Sequence, residues 1–167
     1  QIYDLIVNFG KDFGLTHCGA HTMDTMRMES GFLHWGHDIS PEENQFQANL
    51  DFTISFKKES NFIGKEKLLK IKDKKLDRKF IMLYLKNSKI GNPLLLNEEP
   101  IYLDNNIVGK TTSGNYSFNY NKNLSFGYIN SKISNKQLVD KNLYIEIEKK
   151  KYPAELLLKP LKSHNFK

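Results

Sequence analysis

The sequence has a single cysteine, Cys18, among 167 residues. One thiol excludes an internal disulfide framework and any metal site built from several thiolates, and it favours a reducing, cytoplasmic compartment. No apolar run of about eighteen residues occurs, so no transmembrane helix and no membrane partner are expected. Glycine-rich phosphate loops, a dinucleotide fingerprint and the nucleophile motif of serine hydrolases are also absent. Any nucleotide cofactor would therefore have to bind elsewhere.

Arginine is scarce, and charge is unevenly spread along the chain. Only Arg27 and Arg78 are arginine among 25 basic residues. Residues 1–69 carry six Lys or Arg against ten Asp or Glu, whereas residues 70–167 carry 19 against nine. This shift predicts a domain boundary near residue 70. The C-terminal lysines are interpreted as a solvated surface, and the lack of interleaved arginine and aromatic residues argues against a nucleic-acid partner.

The spacing of apolar residues predicts helices in the first part of the chain. These helices cover residues 1–13, about 20–30 and about 64–72. Gly31 is predicted to end the second helix, because a glycine readily takes the positive φ found there. A further helix start is predicted at Ser40–Glu43, and alternation over residues 50–56 predicts a half-buried strand.

From Arg78 onward the apolar period changes to two, which is typical of strands. The predicted strands cover residues 80–85, 99–103, 107–111, 125–130, 143–148 and 151–157. Residues 104–106, Asp-Asn-Asn, form a predicted hairpin turn because such side chains tolerate positive φ. Five or six short strands favour a small antiparallel barrel, which closes to avoid exposed edges. The predicted fold class is α+β, with helices first and a small antiparallel β-barrel second.

Glu29 stands in the last turn of the second helix, where the helix dipole disfavours a carboxylate. Its partner is a nearby cation, water or a ligand that donates hydrogen bonds, and the residues alone leave these alternatives open. Trp35 belongs either to the core or to a stacking surface for an aromatic ligand. Four histidines lie within residues 17–37, but they lack the sequence context of a zinc site, so no metal is expected.

The segment Asp24–Gly31 resembles the signature of the folate-binding aminomethyltransferase family, also called the glycine-cleavage T-protein family. Further similar segments follow in the family's order at Trp35–Ile39, Gln47–Leu50, Phe62–Glu66, Gly109–Gly114 and Phe126–Ile129. The sequence His34–Asp38 is similar to the corresponding segment of the module that follows the flavin domain in dimethylglycine and sarcosine dehydrogenases.

This resemblance implies two domains and a missing upstream part. Residues 1–72 would be the C-terminal portion of the aminomethyltransferase folate-binding domain, and residues 78–162 would be the C-terminal β-barrel domain. Roughly the first half of the folate-binding domain, with the family's catalytic aspartate, would precede Gln1. We therefore expect no catalytic residue in this chain and no activity from it alone.

The resemblance also implies an activity for the longer chain. It predicts a tetrahydrofolate-binding one-carbon transfer module that takes a methylamine-derived one-carbon unit and forms 5,10-methylene-tetrahydrofolate. FAD would bind only an upstream flavin domain of the same chain. The alternatives are a stand-alone glycine-cleavage aminomethyltransferase, a non-catalytic regulatory or scaffold relative, and a relative linked to tRNA modification.

By the same resemblance Glu29 grips the pterin ring, since a carboxylate can accept two parallel hydrogen bonds from its amino group and neighbouring N–H. Arg27 is a further cofactor-binding candidate, although it points to another side of the helix and can instead hold a carboxylate or carbonyl of the protein. Trp35, Lys57 and Lys65 complete the candidates. The two lysines would meet the glutamate tail of folate, but lysine lacks the planar fork of arginine.

Two apolar clusters in the second half have open interpretations. Tyr116, Phe118 and Tyr120 either cover a cleft or pack within the fold. Leu94–Leu96 occupies the neighbourhood where the family places a second arginine, and it is interpreted as core.

Overall fold

The structure is a computed structural model that describes residues 1–162. The helices and strands are α1 (Ile2–Gly10), α2 (Ala20–Glu29), α3 (Lys65–Lys72), β1 (Arg78–Leu85), β2 (Pro100–Leu103), β3 (Asn106–Ser117), β4 (Lys122–Asn130), α4 (Asn135–Asp140), β5 (Leu143–Ile147) and β6 (Lys150–Leu157). Two short 3-10 helices cover Lys11–Phe13 and Asp51–Thr53. The described helices are too short or too polar to cross a lipid bilayer.

The six strands form a closed antiparallel barrel in the order β1-β4-β3-β2-β5-β6, and β6 pairs back onto β1. Alternate side chains point inward, and Leu83, Ile101 and Ile145 are fully buried in the barrel core. Closure satisfies the backbone groups that an open sheet would expose at its edges. The predicted α+β fold with a C-terminal barrel is confirmed.

Tight turns join the strands where the sequence supplies residues that accept positive φ. Asp104 has φ +56° at the β2–β3 turn, as predicted. Glu148 and Lys149 have φ +50° and +63° between β5 and β6, which is the geometry of a two-residue turn with positive φ at both positions. The strands β3 and β4 extend beyond their predicted ends, to Ser117 and from Lys122. This extension brings the β3–β4 turn to the end of α2.

Two predictions for the first part of the chain are wrong. Ser40–Glu43 is a turn, in which the Ser40 N–H and hydroxyl both donate to Glu43 Oε2, at 2.8 and 2.7 Å. Residues 50–56 contain the 3-10 helix instead of a strand, and Phe52 is 80% exposed. A strand needs a neighbouring edge, and the closed barrel offers none among the described strands.

Helix α2 lies against the outside of the barrel at β3 and β4. Met28 packs there in a small apolar cluster with Phe80, Leu124, Phe126 and Tyr128. Phe80 and Phe126 meet edge to face, with ring centroids 5.2 Å apart. This cluster fixes the C-terminal end of α2 beside β3.

Candidate functional site

The C-terminal end of α2 is held in a fixed geometry. The Phe32 N–H donates to the Arg27 carbonyl at 2.8 Å, and the Gly31 N–H donates to the Met28 carbonyl at 3.1 Å. Gly31 has φ +73°, so these contacts form a Schellman motif and the predicted stop is confirmed. A Cβ on Gly31 would lie 2.5 Å from Pro160 Cγ, which shows how closely the chain after β6 approaches. Glycine is therefore required here for both backbone angle and space.

Glu29, the last residue of α2, is only 2% exposed. Its Oε1 accepts a 2.6 Å hydrogen bond from the Ser117 hydroxyl, and its Oε2 accepts one of 2.9 Å from the Asn119 amide. No ion pair within residues 1–162 includes this carboxylate. The side-chain hydrogen-bond partners of Glu29 among the described residues are therefore neutral donors from the barrel, and no cation of residues 1–162 lies within ion-pair distance of its carboxylate.

A cavity of about 450 Å³ opens beside Glu29, between α2 and the β3–β4 turn. Met26, Phe118 and Tyr120 supply apolar walls, and His21 and Lys162 add polar groups to its lining. The volume falls in the range of small-molecule sites, which combine mostly apolar walls with a few placed polar groups. This arrangement can hold a flat heterocycle whose N–H groups face a carboxylate.

The aromatic residues at the end of β3 and in the β3–β4 turn contribute to this cavity in different ways. Phe118 and Tyr120 line it, whereas Tyr116 meets the Phe118 ring edge to face, with centroids 5.2 Å apart. The backbone carbonyl of Tyr116 also accepts a 3.2 Å hydrogen bond from the Thr25 hydroxyl of α2. The cleft-covering alternative therefore describes Phe118 and Tyr120, and Tyr116 supports them.

Arg27 belongs to a separate hydrogen-bond network. Its Nη1 lies 2.6 Å from Asp38 Oδ2 and 3.3 Å from the Phe32 carbonyl, and its Nη2 donates to Ser113 Oγ at 2.8 Å. Its Nε donates to Asp24 at 3.0 Å. Arg27 thus holds a carboxylate and a carbonyl of the protein and ties α2 to β3. Its assignment to the cofactor stays a prediction.

The buried anion of this network is Asp38, which is 1% exposed. Besides Arg27 it accepts hydrogen bonds from the His34 backbone N–H, from the Ser113 hydroxyl and from the Thr112 hydroxyl, at 2.9, 2.8 and 2.5 Å. A buried carboxylate is tolerated when it is paired and its lone pairs are used in this way. Asp38 is therefore an anchor between the α2 region and the barrel.

The other predicted site residues lie away from the Glu29 cavity. Trp35 is 65% exposed in the loop after α2, so the alternative that it belongs to the core is wrong. Lys57 is exposed, and Lys65 places its Nζ 3.4 Å from the Lys58 carbonyl. None of the three lines the cavity. Their roles in ligand binding stay predictions.

The core interpretation of residues 94–96 is right for one leucine alone. Leu95 is 2% exposed, whereas Leu94 and Leu96 are 61% and 57% exposed. The segment runs irregularly before β2 and not as part of a ladder, so its neighbours do not share one buried face.

Sequence reasoning missed Ser117 and Asn119. A signal was present in β3, where the buried positions Ser113 and Ser117 lie four residues apart on one strand face but carry hydroxyls instead of apolar side chains. Buried hydroxyls need hydrogen-bond partners, so such a strand face predicts polar contacts with a neighbouring element.

Two family sequence models match the chain. The GCVT N-terminal domain matches residues 1–58, and the glycine cleavage T-protein C-terminal barrel domain matches residues 78–162. The chain belongs to the glycine cleavage T-protein family. The resemblance inferred from the sequence is thereby confirmed.

Relatives of this chain include both dehydrogenases and aminomethyltransferases. The chain is 33% identical over 163 residues to mitochondrial dimethylglycine dehydrogenase of Homo sapiens, covering 96% of this chain and 18% of that protein. It is 34% identical over 164 residues to an aminomethyltransferase of Caldanaerobacter subterraneus, covering 89% of this chain and 42% of that protein. The chain thus spans less than a fifth of the first relative and less than half of the second.

A solved structure supports the fold. The glycine cleavage system aminomethyltransferase T from Bartonella henselae superposes with a TM-score of 0.70 over 83% of this chain and 37% of that chain, at 19% identity. At that identity the likeness concerns the fold alone. The two sequence relatives are enzymes, and they assign the chain to a family of enzymes.

Proposed function

We propose that this chain is the tetrahydrofolate-binding part of a one-carbon transfer module in a dimethylglycine or sarcosine dehydrogenase-like demethylating enzyme. The observation that carries the proposal is the buried Glu29 carboxylate, which faces a cavity of about 450 Å³ and has no cationic partner within residues 1–162. The domain division at residues 1–72 and 78–162 and a cytoplasmic location remain part of this proposal.

The residues present fit the pterin end of a folate. A pterin carries an amino group beside a ring N–H, and a carboxylate can accept from both in parallel. Each Glu29 oxygen accepts one protein hydrogen bond, and the bond from the exposed Asn119 side chain can be exchanged for a bond from the ring. Phe118 and Tyr120 offer apolar surface for the flat ring system.

When bound, tetrahydrofolate supplies the nitrogen atoms that take up the one-carbon unit as 5,10-methylene-tetrahydrofolate. In this proposal Glu29 orients the ring, and the aromatic residues of the β3–β4 turn keep water from it. Holding the reacting groups at a fixed distance is the chain's contribution to rate. The oxidation of the N-methyl amine would belong to an upstream flavin domain of a longer chain, where FAD would take up the two electrons.

A second candidate is a stand-alone glycine-cleavage aminomethyltransferase. The chain is 34% identical to an aminomethyltransferase and 33% identical to the human dehydrogenase, so sequence identity does not separate the two candidates. The purified full-length gene product distinguishes them. Visible flavin absorbance supports the dehydrogenase-like enzyme, and its absence, together with activity on an aminomethylated lipoyl protein, supports the aminomethyltransferase.

Calorimetric titration of 5-formyl-tetrahydrofolate into the full-length gene product tests the folate site. Glu29→Ala should weaken binding by about 10- to 100-fold, because hydrogen bonds to a charged group contribute about 1.5–3 kcal/mol. Glu43→Ala is the matched control, since Glu43 is a partly buried carboxylate that pairs with Arg78 at 2.8 Å, away from the cavity. If the wild type and both variants are folded but none of them binds 5-formyl-tetrahydrofolate, the result would favour the scaffold relative.

A further inference from the structure

The two oxygens of Glu29 are held by donors of opposite character. Ser117, the last residue of β3, is fully buried, whereas Asn119 is exposed in the turn between β3 and β4. A buried donor has no room to move, and an exposed loop side chain can exchange its partner for water or a ligand. The two contacts therefore have different consequences for a molecule that enters the cavity.

The Ser117 hydroxyl has its orientation fixed from both sides. Its Oγ accepts a 3.2 Å hydrogen bond from the Tyr120 backbone N–H and lies 2.6 Å from Glu29 Oε1. A hydroxyl has one proton, and the Tyr120 N–H occupies an acceptor site, so the proton of Ser117 is directed to the carboxylate. Ser117 thereby fixes the position of Oε1 and the plane of the carboxylate.

The Asn119 amide approaches the other oxygen from the cavity side. Its Nδ2 donates to Glu29 Oε2 at 2.9 Å, and this is its one side-chain hydrogen bond within the described residues. Asn119 and Glu29 both line the cavity. A ligand that offers two parallel N–H groups meets the carboxylate from the same side, so it competes with the amide for Oε2.

We propose that Ser117 is the positioning residue of the Glu29 carboxylate and that Asn119 is a cap that the ligand's N–H group replaces. This inference rests on the proposed function, and it states how the protein orients the Glu29 carboxylate for the ligand. Ser117 acts through Glu29 without touching the ligand. Asn119 satisfies the buried carboxylate until a ligand arrives, because an unsatisfied buried charge is costly.

The test is calorimetric titration of 5-formyl-tetrahydrofolate into the full-length gene product and its variants. Ser117→Ala should weaken binding about tenfold, as expected for loss of one hydrogen bond to a charged group. Asn119→Ala should tighten binding by about two- to fivefold, since a competing hydrogen bond is removed. Ser125→Ala is the matched control: Ser125 is fully buried on β4, and its hydroxyl lies near backbone carbonyls and not Glu29. It should bind within about twofold of wild type.

Ser117→Cys provides a second variant of nearly the same size with a weaker donor, and it should bind with intermediate affinity. Wild-type affinity in both Ser117 variants, or a loss in Ser117→Cys as large as that in Ser117→Ala, would overturn the positioning role. If Asn119→Ala lowered the binding affinity as much as Glu29→Ala does, Asn119 would itself bind the ligand, and its role as a replaceable cap would be overturned. Absence of binding in wild type would instead overturn the proposed function, and this inference would fall with it.

Discussion

Residues 1–77 and the barrel of residues 78–157 are stabilised in different ways. The barrel buries a continuous apolar core, whereas α1 (residues 2–10) and α3 (residues 65–72) bury none of their residues. Seven residues of the first part are buried, and five of them are polar: Thr25, Glu29, Ser30, Asp38 and Gln47. The barrel is thus stabilised mainly by apolar burial, and the first part is held to it mainly by directed hydrogen bonds.

The same difference locates the site. Gln47 donates to Asp77 at 2.6 Å, its backbone carbonyl accepts from the Phe80 N–H at 2.8 Å, and Asp38 joins Arg27 to β3. These contacts place the end of α2 on a rigid barrel wall. The Glu29 cavity lies where the two parts meet, so one wall is rigid and the other depends on a few polar contacts.

The largest effect is expected in the barrel core. Leu83 is fully buried, and Leu83→Ala should lower the free energy of unfolding of this chain by about 2–5 kcal/mol through lost burial and a cavity. Phe13 in the first part is 88% exposed, and Phe13→Ala should change the free energy of unfolding by less than about 0.5 kcal/mol. Urea unfolding measures both. Equal losses would remove the contrast between the two parts.

A smaller effect is expected when the polar attachment is weakened. Arg27→Lys keeps the charge but loses the fork that reaches Asp38 and Ser113 together, which should cost about 1–3 kcal/mol. The control is Lys110→Met, which breaks an exposed pair with Glu98 and should cost less than about 1 kcal/mol. Urea unfolding checks both values. If Lys110→Met lowered the free energy of unfolding as much as Arg27→Lys does, the contacts between α2 and β3 would be no more stabilising than an exposed ion pair.

Gly31→Ala should destabilise the junction itself by at least about 1 kcal/mol, since alanine is strained at φ +73° and its Cβ would meet Pro160. Gly36 has φ +89° with no atom within 4 Å of a built Cβ, so Gly36→Ala measures backbone strain alone. The difference between their thermal unfolding midpoints reports the Pro160 contact. Identical midpoints for Gly31→Ala and Gly36→Ala would show that Pro160 does not restrict the space at position 31.

The smallest effect concerns a polar pair on the barrel. The hydrogen bond to Glu155 raises the pKa of Tyr84 from 10.0 to about 12, with burial adding to it. Because the pKa is raised in the folded state, this contribution to stability is fully present below pH 10 and is lost as pH rises through 12. Glu155→Gln should lower the Tyr84 pKa, whereas the exposed Glu148→Gln should not. Titration of ¹³C-labelled tyrosine by NMR checks this, and an unchanged pKa in Glu155→Gln would contradict it.

The barrel could be predicted from the sequence better than the first part. Period-two alternation and turn residues such as Asp104 indicate strands because barrel side chains alternate between core and solvent. Residues 50–56 alternate equally well, but they have no free edge to pair with, and sequence periodicity does not report edges. Helix α4 was also missed, although Ser134 and Gln137 form a capping box.

The site could be predicted only where local geometry carried the signal. Glu29 stood out because a carboxylate is disfavoured at a helix C-terminus, and Gly31 because of the stop it provides. Ser117 and Asn119 are 88 and 90 residues away from Glu29 along the chain, so no local pattern connects them to it. Only the packing of α2 on β3 and β4 brings these residues together.

The most direct measurement of the central claim is hydrogen–deuterium exchange of the full-length gene product with and without 5-formyl-tetrahydrofolate. A ligand held between α2 and the barrel wall should slow amide exchange in residues 20–31 and 116–120 and leave β5 and β6 unchanged. Protection confined to the β5–β6 side of the barrel, or binding without protection in either segment, would contradict the placement of the site at Glu29.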